Sequence, residues 1–155
     1  MSLTIRTTSE SDWESVRALR LEMLADTPIA FAETLETALT VDEDDWRTRA
    51  ARGAHVAIDD GRWVGTMGCY IADGSPLLVG VYVTPDARGT GVAEALLTSI
   101  EHWAREWGDT LLLHVHADNA RAIRFYEKQG YAATGVTVPY VLNEAETELE
   151  MAKRL

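Results

Sequence analysis

The stretch Arg88-Gly89-Thr90-Gly91-Val92-Ala93 sets two closely spaced glycines between a β-branched run ending at Thr84 and a segment with helical periodicity. A strand that turns through glycine straight into a helix exposes unpaired backbone N–H groups at the helix's positive end, which suits an anion such as a phosphate. Glycine permits positive φ and leaves no Cβ to obstruct a phosphate pressed against the main chain, and Arg88 adds a charged fork of donors. The loop fits neither standard nucleotide motif: it lacks the Lys-Ser/Thr pair of a P-loop and the third glycine of a dinucleotide loop. Taken alone, it is equally compatible with a plain strand-to-helix turn. Further along, Asn119 and Tyr126 are spaced by two helical turns, so they project from one face and can meet one ligand. Each also has a structural reading, Asn119 as a helix N-cap and Tyr126 as a buried aromatic. His114 and His116 alternate onto one face of a strand, where hydrogen-bonded structural histidines are the commoner case and groups lining an acceptor channel the other.

The elements that must position these residues follow from periodicity. Leu3–Thr7 reads as a first strand, and Ser9-Glu-Ser-Asp12 as a capping box ahead of an amphipathic helix through Trp13, Val16, Leu19 and Met23. A second helix runs from acidic Asp42 to Arg52 and stops at Gly53. Strands at His55–Asp59, Trp63–Ala72 and Leu77–Thr84, separated by Asp-Gly turns, form an antiparallel meander. After the glycine loop, Val92, Leu96, Ile100, Trp103 and Trp107 mark the core stripe of a long helix ended by Gly108. Leu111–His116 is a strand buried on both faces, Asn119–Gln129 a short helix closed by Gly130, and Tyr131–Val138 with Glu146–Arg154 a hairpin joined by the loop Pro139–Ala145. The fold class is α+β, with a central mixed, mostly antiparallel sheet flanked by helices and residues 1–155 expected as one domain.

Composition narrows the partners. With 46% hydrophobic and 25% charged residues the chain reads as a soluble globular protein, and a net charge of −11 with a pI near 4.7 disfavours nucleic acid and anionic membranes while suiting a cationic molecule. The lone Cys69 allows no internal disulfide, clustered Cys/His metal spacing is absent, and neither a leader nor a membrane-spanning run is evident. The expectation is a cytoplasmic protein with no resident metal.

Arg88-Gly89-Thr90-Gly91-Val92-Ala93 resembles the R/Q-x-x-G-x-G/A motif of the GNAT N-acetyltransferase superfamily, which grips the pyrophosphate of acyl-coenzyme A. Asn119, Ala122, Tyr126, Gly130 and Tyr131 resemble the later N-x-x-A-x-x-x-Y-x-x-x-G-F/Y motif of the same superfamily at every spacing, and the element order is similar too. The resemblance implies acetyl-coenzyme A as cosubstrate, a primary amine as acceptor and direct attack of the amine on the thioester. It implies two splayed central strands, with main-chain groups of Val81 and Val83 on the pantetheine arm and able to polarise the thioester carbonyl. Asn119 would bond the pantetheine, and the Tyr126 hydroxyl would donate a proton or hydrogen bond to the leaving thiolate. Many relatives carry a Glu on the strand before the loop; Leu77–Val83 holds no carboxylate. The substitute implied as general base is Glu33, in a loop that lies beside the acceptor pocket in relatives. Homodimerisation is an expectation from relatives alone. The alternative to an enzyme is a non-catalytic acyl-coenzyme A binding module, and the acceptor alternative to a small amine is a protein amine.

Overall fold

A computed structural model describes residues 2–155. Its elements are β1 (Leu3–Thr7), α1 (Trp13–Asp26), α2 (Leu35–Ala38), α3 (Glu43–Ala51), β2 (His55–Asp59), β3 (Arg62–Ala72), β4 (Ser75–Val83), α4 (Val92–Ala104), β5 (Thr110–His116), α5 (Ala120–Lys128), β6 (Ala132–Tyr140) and β7 (Asn143–Arg154). The seven strands form a mixed, mostly antiparallel sheet. The described residues group into two compact units, 2–68 with Gly80–Ile100, and Cys69–Val79 with Glu101–Leu155.

In the first unit, β1 pairs antiparallel with β2 from Leu3–Asp59 to Thr7–His55, and β2 pairs antiparallel with β3. The β2–β3 turn takes positive φ at both Asp60 (48°) and Gly61 (84°), the backbone twist that suits a two-residue hairpin. Ser9 opens the first helix as its sequence predicts: the Asp12 carboxylate accepts the Ser9 N–H at 2.9 Å, and a short 3₁₀ turn leads into α1. Leu19, Met23, Leu24, Phe31, Ala38 and Tyr82 close a core under α1. Trp46 is fully buried and its indole N–H donates to the Val41 carbonyl at 3.1 Å, which makes it a core residue of α3. Val92, Leu96, Leu97 and Ile100 bury the inner stripe of α4. Gly65 lets that helix approach, because a Cβ there would meet Leu96 Cδ1 at 3.0 Å and the Tyr82 carbonyl at 3.1 Å.

In the second unit, β4 pairs with β5 in parallel, β5 with β7 antiparallel from Thr110–Arg154 to His116–Glu148, and β7 with β6. Among the described residues the parallel ladder holds Leu77–Leu112 and Leu78–Leu113, although β4 continues to Val83 and β5 to His116. Leu111, Leu113, Val115, Tyr126, Tyr131 and Met151 are buried here.

Several elements depart from the sequence expectation. Helix α4 ends at Ala104, so Trp107 lies beyond it, 57% exposed and tilted against Trp103 at 5.8 Å, rather than in a core stripe. The hairpin loop shrinks from Pro139–Ala145 to Val141–Leu142, because β6 runs on to Tyr140 and β7 begins at Asn143, with extra residues carried by β6 at the register shift between Ala133 and Thr137 and by β7 at the shift between Pro139 and Tyr140. The one-turn helix α2, capped by the Thr34 hydroxyl accepting the Thr37 N–H, is too short for periodicity to mark. Among the described residues no helix is long and apolar enough to cross a membrane.

Candidate active site

The glycine loop of the first unit has a backbone left open at both glycines. Gly89 and Gly91 take φ of 74° and 93°, and a Cβ at either would meet nothing within 4 Å, so both positions face open space. Among the described residues the N–H groups of Gly89, Thr90 and Gly91 donate to no backbone carbonyl, while the Gly91 carbonyl accepts the Ala95 N–H at 3.0 Å and starts α4. Val92 and Ala93 form the first turn of that helix. The Thr90 hydroxyl donates back to the Ala87 carbonyl and braces the loop.

Arg88 plays a different part from the one its charge suggests. Its guanidinium donates to the Asp26 carboxylate at the end of α1, its Nε–H donates to the Val83 carbonyl at 3.1 Å, and it lies over the Tyr82 ring at 5.7 Å. The Tyr82 hydroxyl donates to the same carboxylate oxygen at 3.2 Å. Burial, followed by the nearby Asp26 and Glu22 charges, pushes the Tyr82 phenol up to about 12. Arg88 is therefore an anchor of the loop, with its charge offset by Asp26.

Gly80, inside β4, takes φ of 59°, so the strand kinks between the end of its parallel ladder and Val81. A glycine within an apolar strand run was the signal for this kink. Beyond Leu78–Leu113 no β4–β5 pair is registered among the described residues.

In the second unit Asn119 caps α5, its Oδ1 accepting the Ala122 N–H at 3.3 Å. Among the described residues its amide nitrogen donates to no partner. Tyr126 is 6% exposed, set edge-on to Phe125 at 5.6 Å and to Tyr131 at 6.0 Å, and burial raises its pKa well above the ordinary phenol value. Tyr131 is held in turn by Glu101, whose Oε2 accepts the phenol hydroxyl at 2.8 Å and the Lys153 ammonium at 3.0 Å. This part-buried ion pair fixes the Tyr131 ring that lies edge-on to Tyr126.

Glu33 does not have the surroundings of a general base. Arg20 Nε donates to its Oε1 at 2.9 Å, and Arg49 donates to both oxygens at 3.0 and 2.8 Å. Burial alone would raise its pKa, but the hydrogen bonds and charges of Arg49 and Arg20 outweigh it and lower the value. A carboxylate held in its ionised form by two arginines is a weaker proton acceptor than a free one, so these contacts weigh against the base role expected for Glu33 and favour a structural ion-pair centre.

Histidines 114 and 116 share a face with β7 carboxylates. His116 is buried; its Nδ1 accepts the Asp118 N–H at 3.1 Å and its Nε2 lies 2.7 Å from Glu146 Oε1, with the Tyr140 ring edge-on at 4.9 Å. Donor atoms of His116, Asp118 and Glu146 lie within 4.8 Å of one another, but both His116 nitrogens are already engaged. His114 Nε2 lies 3.2 Å from Glu150 Oε2.

The model of the acetyltransferase (GNAT) family matches residues 16–131. An uncharacterized N-acetyltransferase of Mycobacterium bovis is 31% identical over 113 residues, 72% of each chain. A mycothiol acetyltransferase of Thermobispora bispora is 32% identical over 137 residues, which is 83% of this chain and 46% of that protein, so this chain spans less than half of its length. Among solved structures, an acetyltransferase from Salmonella typhimurium, yncA with its cofactor acetyl-CoA, is similar in fold at a TM-score of 0.77 and 21% identity, covering 100% of this chain and 95% of that one.

Proposed function

We propose that this chain, which belongs to the GNAT acetyltransferase family and is an acyltransferase, moves the acetyl group of acetyl-coenzyme A to a primary amine by direct attack in a ternary complex. The observation that carries the reading is the glycine loop. Its unpaired N–H groups stand at the start of α4, and Gly89 and Gly91 leave open space on the main chain for a diphosphate. Arg88, Thr90, Val92 and Ala93 shape that loop, Val81 and Val83 offer main-chain groups to the pantetheine arm, and the Asn119 amide is the polar partner at the start of α5, with Ala122 as the turn it caps.

Tyr126 serves the leaving group. A thiol near ~8.5 and an unperturbed phenol near ~10 make full proton transfer roughly 2 kcal/mol uphill, and burial of Tyr126 widens that gap. A neutral phenol that donates a hydrogen bond to the developing thiolate fits these values better than one that surrenders its proton. The acceptor is a cationic amine, small or at a protein terminus or side chain. The net charge of −11 supports this, as does the alternation of Glu144, Glu146, Glu148 and Glu150 on β7.

Release of free coenzyme A thiol across a panel of amino acids, polyamines, aminoglycosides and peptide N-termini tests the reading, with Tyr126→Phe alongside. Release with one amine class, reduced in Tyr126→Phe while acetyl-coenzyme A affinity stays within about twofold, supports both assignments. Tight binding of acetyl-coenzyme A without release from any amine favours a binding module, a reading to which the locked Glu33 lends weight.

A further inference from the structure

We infer that His114 is the proton acceptor for the incoming amine, with Glu150 and Thr134 as its positioning residues. The inference rests on the acetyl-transfer reading above and names the base that Glu33 does not provide. Its placement comes from the register of the second unit. The β4–β5 ladder ends at Leu78–Leu113, and His114 is the next residue of β5. Leu111, Leu113 and Val115 are buried along one face of β5, so His114 projects from the other, its side chain 30% exposed. It stands where β5 and the stretch of β4 in its own unit, which runs to Val79, stop pairing.

What holds His114 decides its chemistry. Glu150 accepts from His114 Nε2 at 3.2 Å through Oε2, and from the Thr134 hydroxyl at 2.9 Å through Oε1. Thr134 sits in the β6 bulge, where Gly135 takes φ of 90° and the Val136 N–H donates to Thr134 Oγ1 at 3.2 Å. That bulge aims one hydroxyl at one carboxylate oxygen. With the ring proton on Nε2 and directed at Glu150, neutral His114 carries its lone pair on Nδ1, which has no partner among the described residues. A base oriented by a carboxylate that is itself oriented is the arrangement general-base chemistry needs. His116 lacks it, since both of its nitrogens are taken. The titratable groups around His114 are Glu150 on β7, His116 on β5, and Glu148, which pairs with His116 across the ladder; Glu146 on β7 and Tyr140 on β6 contact His116.

The protons balance. Nδ1 takes one proton from the substrate ammonium and passes it to solvent. The freed nitrogen lone pair forms the C–N bond, and the C–S bond breaks with its electron pair on sulfur. The second N–H proton ends on that sulfur, giving amide, coenzyme A thiol and one released proton.

The test is the pH dependence of kcat/KM for wild type, His114→Gln and Glu150→Gln with one accepted amine, with acetyl-coenzyme A affinity measured by calorimetry on each. His114→Gln should lower kcat about 10²-fold or more and abolish the rise of kcat/KM through the histidine range, with cofactor affinity kept. Glu150→Gln should retain the limb and lower kcat with KM and cofactor affinity kept, which a merely structural role would not do. If His114→Gln failed to bind acetyl-coenzyme A through misfolding, His114→Asn and Glu150→Gln carry the same readout. Wild-type turnover with an unchanged limb and kcat in the His114 variants would overturn the assignment while leaving the acetyltransferase reading intact. Wild-type protein that binds acetyl-coenzyme A and acetylates no amine would overturn both.

Discussion

Gly91→Ala separates two costs that a glycine loop combines. Gly91 has φ of 93°, which an L side chain adopts only with strain, of order 1–3 kcal/mol. A Cβ at this position meets no heavy atom within 4 Å, so no packing term adds to the strain in the unliganded protein. For a chain of this size that strain corresponds to a Tm about 2–12 °C lower. A diphosphate pressed on the main chain would meet the same Cβ, and the expected loss of affinity is at least about tenfold, or 1.4 kcal/mol. Gly74→Ala is the matched control. Its φ is 82° and its Cβ also meets nothing within 4 Å, but it sits in the β3–β4 turn. Calorimetric titration with acetyl-coenzyme A should show weakened binding for Gly91→Ala alone, while thermal melts show similar destabilisation in both. Equal affinity in the two variants would refute the assignment of the loop to the diphosphate.

Glu33→Gln should destabilise the fold by about 1–3 kcal/mol in urea titrations, because Arg20 and Arg49 lose their shared carboxylate, while turnover per folded molecule stays near wild type; a large fall in kcat with stability intact would return Glu33 to the chemistry. His55, buried with Nδ1 2.8 Å from the Ser99 hydroxyl, has its pKa lowered by desolvation, so the unfolded chain binds the proton more readily. Its contribution to stability is complete above about pH 6.5 and is lost as pH falls from there through the lowered folded value, and His55→Gln should flatten that part of the pH–stability curve.

Local signals were legible where residue type and geometry are tightly coupled. Ser9 and Asp12 announced a helix start, Asp-Gly pairs announced turns, and two glycines before an apolar stripe announced a loop with positive φ. Trp107 misled because a helical period continued in the sequence past the residue where α4 unwinds, and four-residue spacing cannot distinguish a last turn from a tail. The β6 bulge was illegible for a related reason. Alternation fixes which face a residue takes only while register holds, and Thr134–Val136 sit where it slips. Yet that slip is what brings Thr134 to Glu150.

Charge was the property least readable from residue type. Arg88 and Glu33 carry the signs that phosphate binding and proton abstraction would ask for, and both are committed to partners distant in sequence: Asp26, Arg20 and Arg49. The consequence for the glycine loop is specific. With the Arg88 charge offset by Asp26, attraction for a diphosphate comes chiefly from oriented N–H groups and the start of α4, which act over a few ångströms and weaken less with salt than a free guanidinium would. The consequence for the base is that selection among carboxylates by position in a loop fails, since an Asp or Glu near arginines is held ionised. A histidine whose one nitrogen faces a carboxylate and whose other is open has the lone pair a base needs. In this chain that description is met by His114, at the residue where the parallel ladder ends.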